Sequence, residues 1–188
     1  MKQLNKAAII ISKICEVGFW VATAISLVLT VISAIGKFEW FKYLTDITSG
    51  ETELSVSGFS FELGIAQEFD KLAFIMFFIT AVLVFSLMAM IFRNVYLIMK
   101  TTQGKTSFAK GETPFQPDNI RMVREIGIFF ILISAAGYIM SIIARLVFGH
   151  DIEVQCDFTY VLVGIVVICL SQYFDYGMKL QKEVDGLL

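Results

Sequence analysis

Histidine, cysteine and carboxylate side chains, which could hold a metal or transfer protons, come together in one stretch that reads H-D-I-E-V-Q-C-D over residues 150–157. Imidazole, thiolate and carboxylate groups are the ligands of protein zinc sites. The spacing of His150 and Cys156 matches no familiar zinc motif, and charged residues commonly occupy such loops. The sequence therefore predicts no metal site and no cofactor.

The common catalytic motifs do not occur in this chain. It contains no G-x-S-x-G, no H-E-x-x-H and no phosphate-binding glycine loop. The cysteines Cys15, Cys156 and Cys169 form no CxxC pair, which argues against thiol–disulfide exchange. We therefore expect a non-catalytic protein with no catalytic residues.

Glu16 is the one charged residue in a run of 23 residues between Lys13 and Lys37. A carboxylate inside a membrane span is costly and is by default a candidate functional group. Glu16 lies about one helical turn from the end of the run. It is therefore a candidate intramembrane acid, with an ion pair to Lys13 as the alternative.

The composition argues for a membrane protein. Hydrophobic residues make up 57% of the chain and charged residues 17%, against roughly 45–50% and about 25% in soluble domains. These values exclude an ordinary soluble enzyme domain and a disordered tail. The net charge of −2 gives no general attraction to phosphate polymers, so we expect no direct nucleic acid binding.

Four apolar runs are long enough to cross a bilayer, whose core needs about 20 helical residues. The backbone must satisfy its own hydrogen bonds in lipid, so each run should be a helix. The sequence thus predicts an all-α membrane protein, one four-helix domain over residues 1–188. The predicted spans are about 14–36, 72–92, 126–144 and 158–174.

The distribution of Lys and Arg predicts the orientation. If both termini lie on one side, that side holds 11 basic residues and the other side holds 4. Because basic loops stay in the cytoplasm, both termini and the loop of residues 93–125 should be cytoplasmic. The acidic loop of residues 37–70 should lie outside.

The outer loop contains a hairpin signal. Apolar residues alternate on both sides of Ser57-Gly58 within residues 52–63, which favours a two-residue turn. We expect a small extracellular β-hairpin that pairs Val56 with Phe59. Its apolar face should lie on helix ends or the membrane surface, or serve as an exposed partner surface.

The cytoplasmic segments should extend the helices beyond the bilayer. The second helix should continue past Arg93, and Pro117 suits the first turn of the third helix. Arg121 and Glu125 are spaced to form an ion pair. The start of the third helix would then form a short cytoplasmic stalk. The repeat of Tyr176, Leu180 and Val184 predicts a short amphipathic extension, which packs against this stalk or the lipid headgroups or docks a partner.

Small residues recur every four positions in the first span and invite close helix packing. The same interpretation applies to Ser134, Gly137, Ser141 and Ala144 in the third span. Both sets could serve the four-helix core or a homo-oligomer. The candidate packing residues of the first span are Gly18, Ala22, Ser26 and Thr30, followed by Ala34.

The segment P-F-Q-P-D-N-I-R-M-V-R-E-I-G over residues 114–127, together with four spans and a Ser/Gly/Phe hairpin, resembles a bacterial family of four-helix integral membrane proteins catalogued as a domain of unknown function. The family usually has Thr or Ser where this chain has Gln116. Members are often encoded beside a small helix-turn-helix regulator. The resemblance implies a location in the bacterial cytoplasmic membrane and such a regulator as partner.

Two functions of different kinds remain open. In one, the protein is a regulatory or sensor partner in the lipid bilayer that binds a small cytoplasmic transcription factor. The candidate contacts are then Phe115, Arg121 and Arg124, although Phe115 could instead pack as a staple for the third helix. In the other, it belongs to a small-molecule or peptide transport or immunity system.

Overall fold

Four long helices account for most of the described chain. The computed structural model describes residues 2–35, 52–57, 59–63, 71–101, 115–148 and 156–186. The helices are α1 (Lys2–Ile35), α2 (Lys71–Thr101), α3 (Pro117–Phe148) and α4 (Phe158–Asp185). Each is long and apolar enough to cross a membrane. The predicted all-helical class with four candidate spans, that of a multi-pass membrane protein, is confirmed.

Three predicted helix extensions are also present. α2 continues past Arg93 to Thr101, and α4 runs beyond residue 174 to Asp185. α3 begins at Pro117, and its first hydrogen bond runs from the Ile120 amide to the Gln116 carbonyl at 3.1 Å. Proline lacks an N–H, and the first helical position needs none.

Two short strands, β1 (Thr52–Val56) and β2 (Phe59–Leu63), pair antiparallel. Val56 is opposite Phe59 and Ser55 is opposite Ser60 in this register. Ser57 follows β1 with φ of 48°, in the left-handed region.

The chain folds into two compact units. The first unit comprises Met1–Phe19, Leu87–Leu132 and Thr159–Leu188. The second unit comprises Trp20–Ser86 and Ile133–Phe158. The first unit therefore contains segments of all four helices together with both chain termini.

In the second unit, apolar packing joins α2 to α3. Met76 on α2 and Ala144 on α3 are both buried and pack together, with partly buried apolar side chains around them. The paired strands also contact α3, because the Ser57 hydroxyl donates to the Ile133 carbonyl at 3.3 Å. A Cβ atom on Gly137 would overlap the Ser57 carbonyl oxygen, so only glycine allows this approach.

Apart from Ile133, the buried face of α3 in the second unit consists of small side chains. The residues predicted to pack in this span, Gly137 among them, are all buried. The Ser134 hydroxyl donates to the Asp157 carbonyl at 2.9 Å, just before α4 begins. The Ser141 hydroxyl donates to the carbonyl of Gly137 one turn earlier, at 2.9 Å.

Candidate functional site

In the first unit, α1 packs on α2 through an aromatic and a charged contact. The rings of Phe19 and Phe92 stack at a centroid distance of 5.5 Å. The Lys13 ammonium lies 5.0 Å from the centre of the Tyr96 ring, and the Lys100 ammonium lies 5.3 Å from it. The Lys100 ammonium also donates a hydrogen bond to the Tyr96 hydroxyl at 3.0 Å, so two cations share one tyrosine side chain.

Glu16 lies on this same part of α1 and is 7% exposed. Its carboxylate accepts a hydrogen bond from the Lys13 ammonium at 2.9 Å. The Lys13 side chain is about half exposed, at 49%. The sequence left open a functional acid or an ion pair with Lys13, and the structure contains the contact that the ion pair requires.

The predicted small-residue stripe does not coincide with the buried face of α1. Gly18 is exposed, and a Cβ atom there would meet nothing within 4 Å. Ser26 is 5% exposed, whereas Ala22 and Thr30 are half-buried. Gly18 therefore does not pack on another described helix of this chain, and its predicted role in helix packing stays a hypothesis that a homo-oligomer contact could satisfy.

Helical geometry explains the difference. Each residue turns the helix by about 100°, so a repeat of four advances roughly 40° per step and about 160° from Gly18 to Ala34. Those two residues cannot lie on one face. The buried residues of α1 are instead 4, 7, 3 and 7 positions apart, spacings that keep them on one face of the helix. They are Ser12, Glu16, Thr23, Ser26 and Ser33.

A polar bridge joins α2 to α3 in the first unit. Asn94 is 6% exposed, and its side-chain amide donates to Oε2 of Glu125 at 3.1 Å. Oε1 of Glu125 accepts a second hydrogen bond, from Nε of Arg121 at 2.8 Å. The predicted pair of Arg121 and Glu125 is present, and it is anchored to the neighbouring helix by an amide that was not among the predicted site residues.

A repeat in α2 could have identified Asn94. Buried residues recur at heptad spacing along this helix, at Ala73, Thr80, Asn94 and Thr101. Residues seven apart lie on nearly the same face of a helix. An asparagine in that register is expected to be buried, and a buried amide needs a partner.

Phe115 packs against α4 and remains partly accessible. Its ring centroid lies 5.8 Å from that of Phe174, and 38% of the residue is exposed. A Cβ atom on Gly177 would lie 2.6 Å from Cε1 of Phe115, so the ring occupies the space above this glycine. These contacts agree with the interpretation of Phe115 as a packing staple, and the residue stays partly exposed.

The two candidate arginines are both exposed. The Arg121 side chain is 78% exposed even though its Nε is paired, and Arg124 is exposed as well. The first turns of α3 therefore present two exposed guanidinium groups, and a partly exposed aromatic residue, Phe115, directly precedes the helix in the chain. That combination can bind a carboxylate or phosphate together with an apolar group.

The C-terminal extension leaves its apolar stripe uncovered. Tyr176 is 62% exposed, Leu180 44% and Val184 57%. These three side chains therefore do not pack on the stalk within the described chain. Phe174 and Gly177, on the adjacent side of α4, make the contact to Phe115 instead.

Part of the segment considered for metal binding, including His150, Asp151 and Glu153, lies outside the described residues. Among the residues that the structure describes, no group of three His, Cys, Asp or Glu side chains is placed to hold a metal. Cys156 is described and lies 3.7 Å from the Ser134 hydroxyl.

No family model, curated protein or solved structure matches the chain.

Proposed function

We propose that the chain is a non-catalytic protein of the bacterial cytoplasmic membrane that binds a small helix-turn-helix regulator at the start of α3. One observation carries this proposal. Arg121 and Arg124 are exposed on turns of α3 that precede its uncharged run, and the partly exposed Phe115 comes just before this helix in the chain. Arginine and aromatic side chains are enriched among the residues that dominate protein–protein binding energy.

The proposed orientation has both termini in the cytoplasm. It is supported by the excess of basic residues, 11 against 4, on the side that contains the termini and residues 93–125. In the same proposal the strand pair of residues 52–63 is extracellular. The acidic residues of the loop that contains it are consistent with that side.

Arginine at positions 121 and 124 suits a partner that offers carboxylates. The two residues are three positions apart, so their side chains lie on neighbouring parts of the α3 surface. Arg121 already shares its Nε with Glu125, which orients the guanidinium and leaves its other N–H groups for a partner. Such a protein would hold the regulator at the membrane and release it in response to a signal.

The test is capture of a co-expressed small helix-turn-helix regulator, of the kind encoded beside members of the resembled family, by affinity purification of the full-length membrane protein. The variants Phe115→Ala/Arg121→Ala and Arg124→Glu should each lose most of the captured regulator. Arg145→Glu, a matched charge reversal at the opposite end of α3, should capture it at the wild-type level. All variants should be equally abundant in the membrane fraction.

Capture that is the same for wild type, Arg124→Glu and the double variant would show that this surface does not bind the regulator. Failure of the wild type itself to capture the regulator would instead favour the transport or immunity alternative. Because Phe115 also packs on Phe174, the Arg124→Glu variant is the more informative of the two.

A further inference from the structure

An open groove of about 400 Å³ lies between α2 and α3 in the first unit. Arg93 and Asn94 of α2 line one side, and Asp118, Arg121 and Glu125 of α3 line the other. Methionine and leucine side chains, including Met90 and Met122, complete the wall. The groove therefore combines an apolar surface with charges of both signs.

The charges in this groove are balanced but are not all paired. Arg121 and Glu125 neutralise each other at 2.8 Å, and Glu125 is held in place by Asn94. Arg93 and Asp118 line the same groove, yet within the described part of the chain they form no ion pair with each other or with another side chain. One cation and one anion are thus left to bind a ligand.

The two charges lie at different distances from the apolar runs. Arg93 directly follows the 21 uncharged residues of α2, and Glu125 directly precedes the 19 uncharged residues of α3. Asp118 lies seven residues before Glu125 on α3, which is about 10 Å along the helix axis. The headgroup layer is roughly 5–8 Å thick on each side of the hydrocarbon core, so the groove spans its depth.

We propose that this groove binds a phospholipid with a zwitterionic primary-amine headgroup. Its phosphodiester pairs with Arg93, and its ammonium pairs with Asp118. In such a lipid the phosphate is nearer to the acyl chains and the amine is farther out. That order matches Arg93 at the end of the apolar run and Asp118 beyond it. The acyl chains then extend along the apolar side of the groove past Met90.

Other lipid headgroups fit these charges less well. An anionic headgroup without an amine would satisfy Arg93 but would bring no counter-charge to Asp118. A choline headgroup carries a positive charge but has no N–H to donate to a carboxylate. Hydrogen bonds between charged groups are about twice as strong as neutral ones, so a primary amine should be preferred.

The test is native mass spectrometry of the full-length chain in detergent, with ethanolamine, choline and glycerol phospholipids of identical acyl chains. The ethanolamine lipid should be retained about tenfold more than the other two, the ratio for one charge-assisted hydrogen bond. Arg93→Gln and Asp118→Asn should each remove this preference. Arg145→Gln and Glu183→Gln, which make the same charge changes outside the groove, should retain it.

Equal retention of the three lipids, a preference for the glycerol lipid, or the same loss in Arg93→Gln and Arg145→Gln would overturn the proposal. Soluble glycerophosphoethanolamine shares the headgroup chemistry, and it should not displace the lipid at equal concentration. Displacement would mean that the groove binds the soluble headgroup compound and not a membrane lipid. Neither Arg93 nor Asp118 belongs to the proposed regulator contact, so failure here is distinguishable from failure of regulator capture.

Discussion

Gly127 of α3 and Gly164 of α4 approach so closely that a Cβ atom added to either would lie 2.7 Å from the carbonyl oxygen of the other. Phe130 and Tyr160, one turn away on the same two helices, stack at a centroid distance of 6.2 Å. Close backbone approach at small residues is a main source of helix association in membranes. This glycine pair therefore sets the spacing of α3 and α4 in the first unit.

Gly127→Ala should lower the thermal stability of the protein in detergent, because the new methyl group meets backbone atoms that cannot rotate away. Overpacking of this kind costs about 1–3 kcal/mol. Gly18→Ala is the matched control, since a Cβ atom there meets nothing within 4 Å. Equal melting temperatures for the two variants would contradict the close contact.

Phe115 and Gly177 should be energetically coupled. Gly177→Ala places a methyl group against the Phe115 ring and should lower the melting temperature of the wild type. In a Phe115→Ala background the same change should be neutral or stabilising, because the obstacle is gone and alanine favours helix. A double-mutant cycle measures this coupling, and an identical loss in both backgrounds would show that the ring does not occupy that space.

The ion pair of Lys13 and Glu16 predicts an order of stabilities. Lys13→Gln leaves the buried carboxylate without its partner and should cost about 1–3 kcal/mol. Lys13→Gln/Glu16→Gln removes both charges and should recover part of that loss. Thermal melts of the two variants and the wild type test the order. A double variant less stable than Lys13→Gln would point to a role for Glu16 beyond the ion pair.

Cysteine labelling tests the orientation. In a variant without the three native cysteines, a membrane-impermeant maleimide added to intact cells should label cysteine introduced by Ser55→Cys. It should not label Ser107→Cys or Glu183→Cys until the membrane is permeabilised. Labelling in the reverse pattern would place the termini outside and contradict the 11-to-4 distribution of basic residues.

The helices could be predicted from the sequence because the signals that define them are local. An uncharged run identifies a span, and Pro117 with Asp118 marks a helix start whatever lies nearby. The predicted spans fall within the observed helices to within a residue, and the extensions beyond Arg93 and residue 174 follow from helix-compatible residues without a break.

The packing between helices was harder to predict because it depends on which residues meet across them. Glu125 could be assigned to Arg121 from its spacing, but its bond to Asn94 joins residues 31 positions apart. The sequence does not distinguish Gly127 from any other glycine of a span, because its close contact is with Gly164 on another helix. For α1, small residues do form most of the buried face, but the strict repeat of four included Gly18, which is exposed.

Four hydroxyl groups in these helices find a partner within their own helix. Thr30, Thr80, Thr101 and Ser141 each donate to the carbonyl four residues back, at 2.8 to 2.9 Å. None of these four hydroxyls therefore depends on a second helix for a hydrogen bond when it is removed from water. During synthesis the spans that carry Thr30, Thr80 and Ser141 can therefore pass from the translocon into lipid one at a time, and the helices can assemble afterwards without first breaking hydrogen bonds made elsewhere.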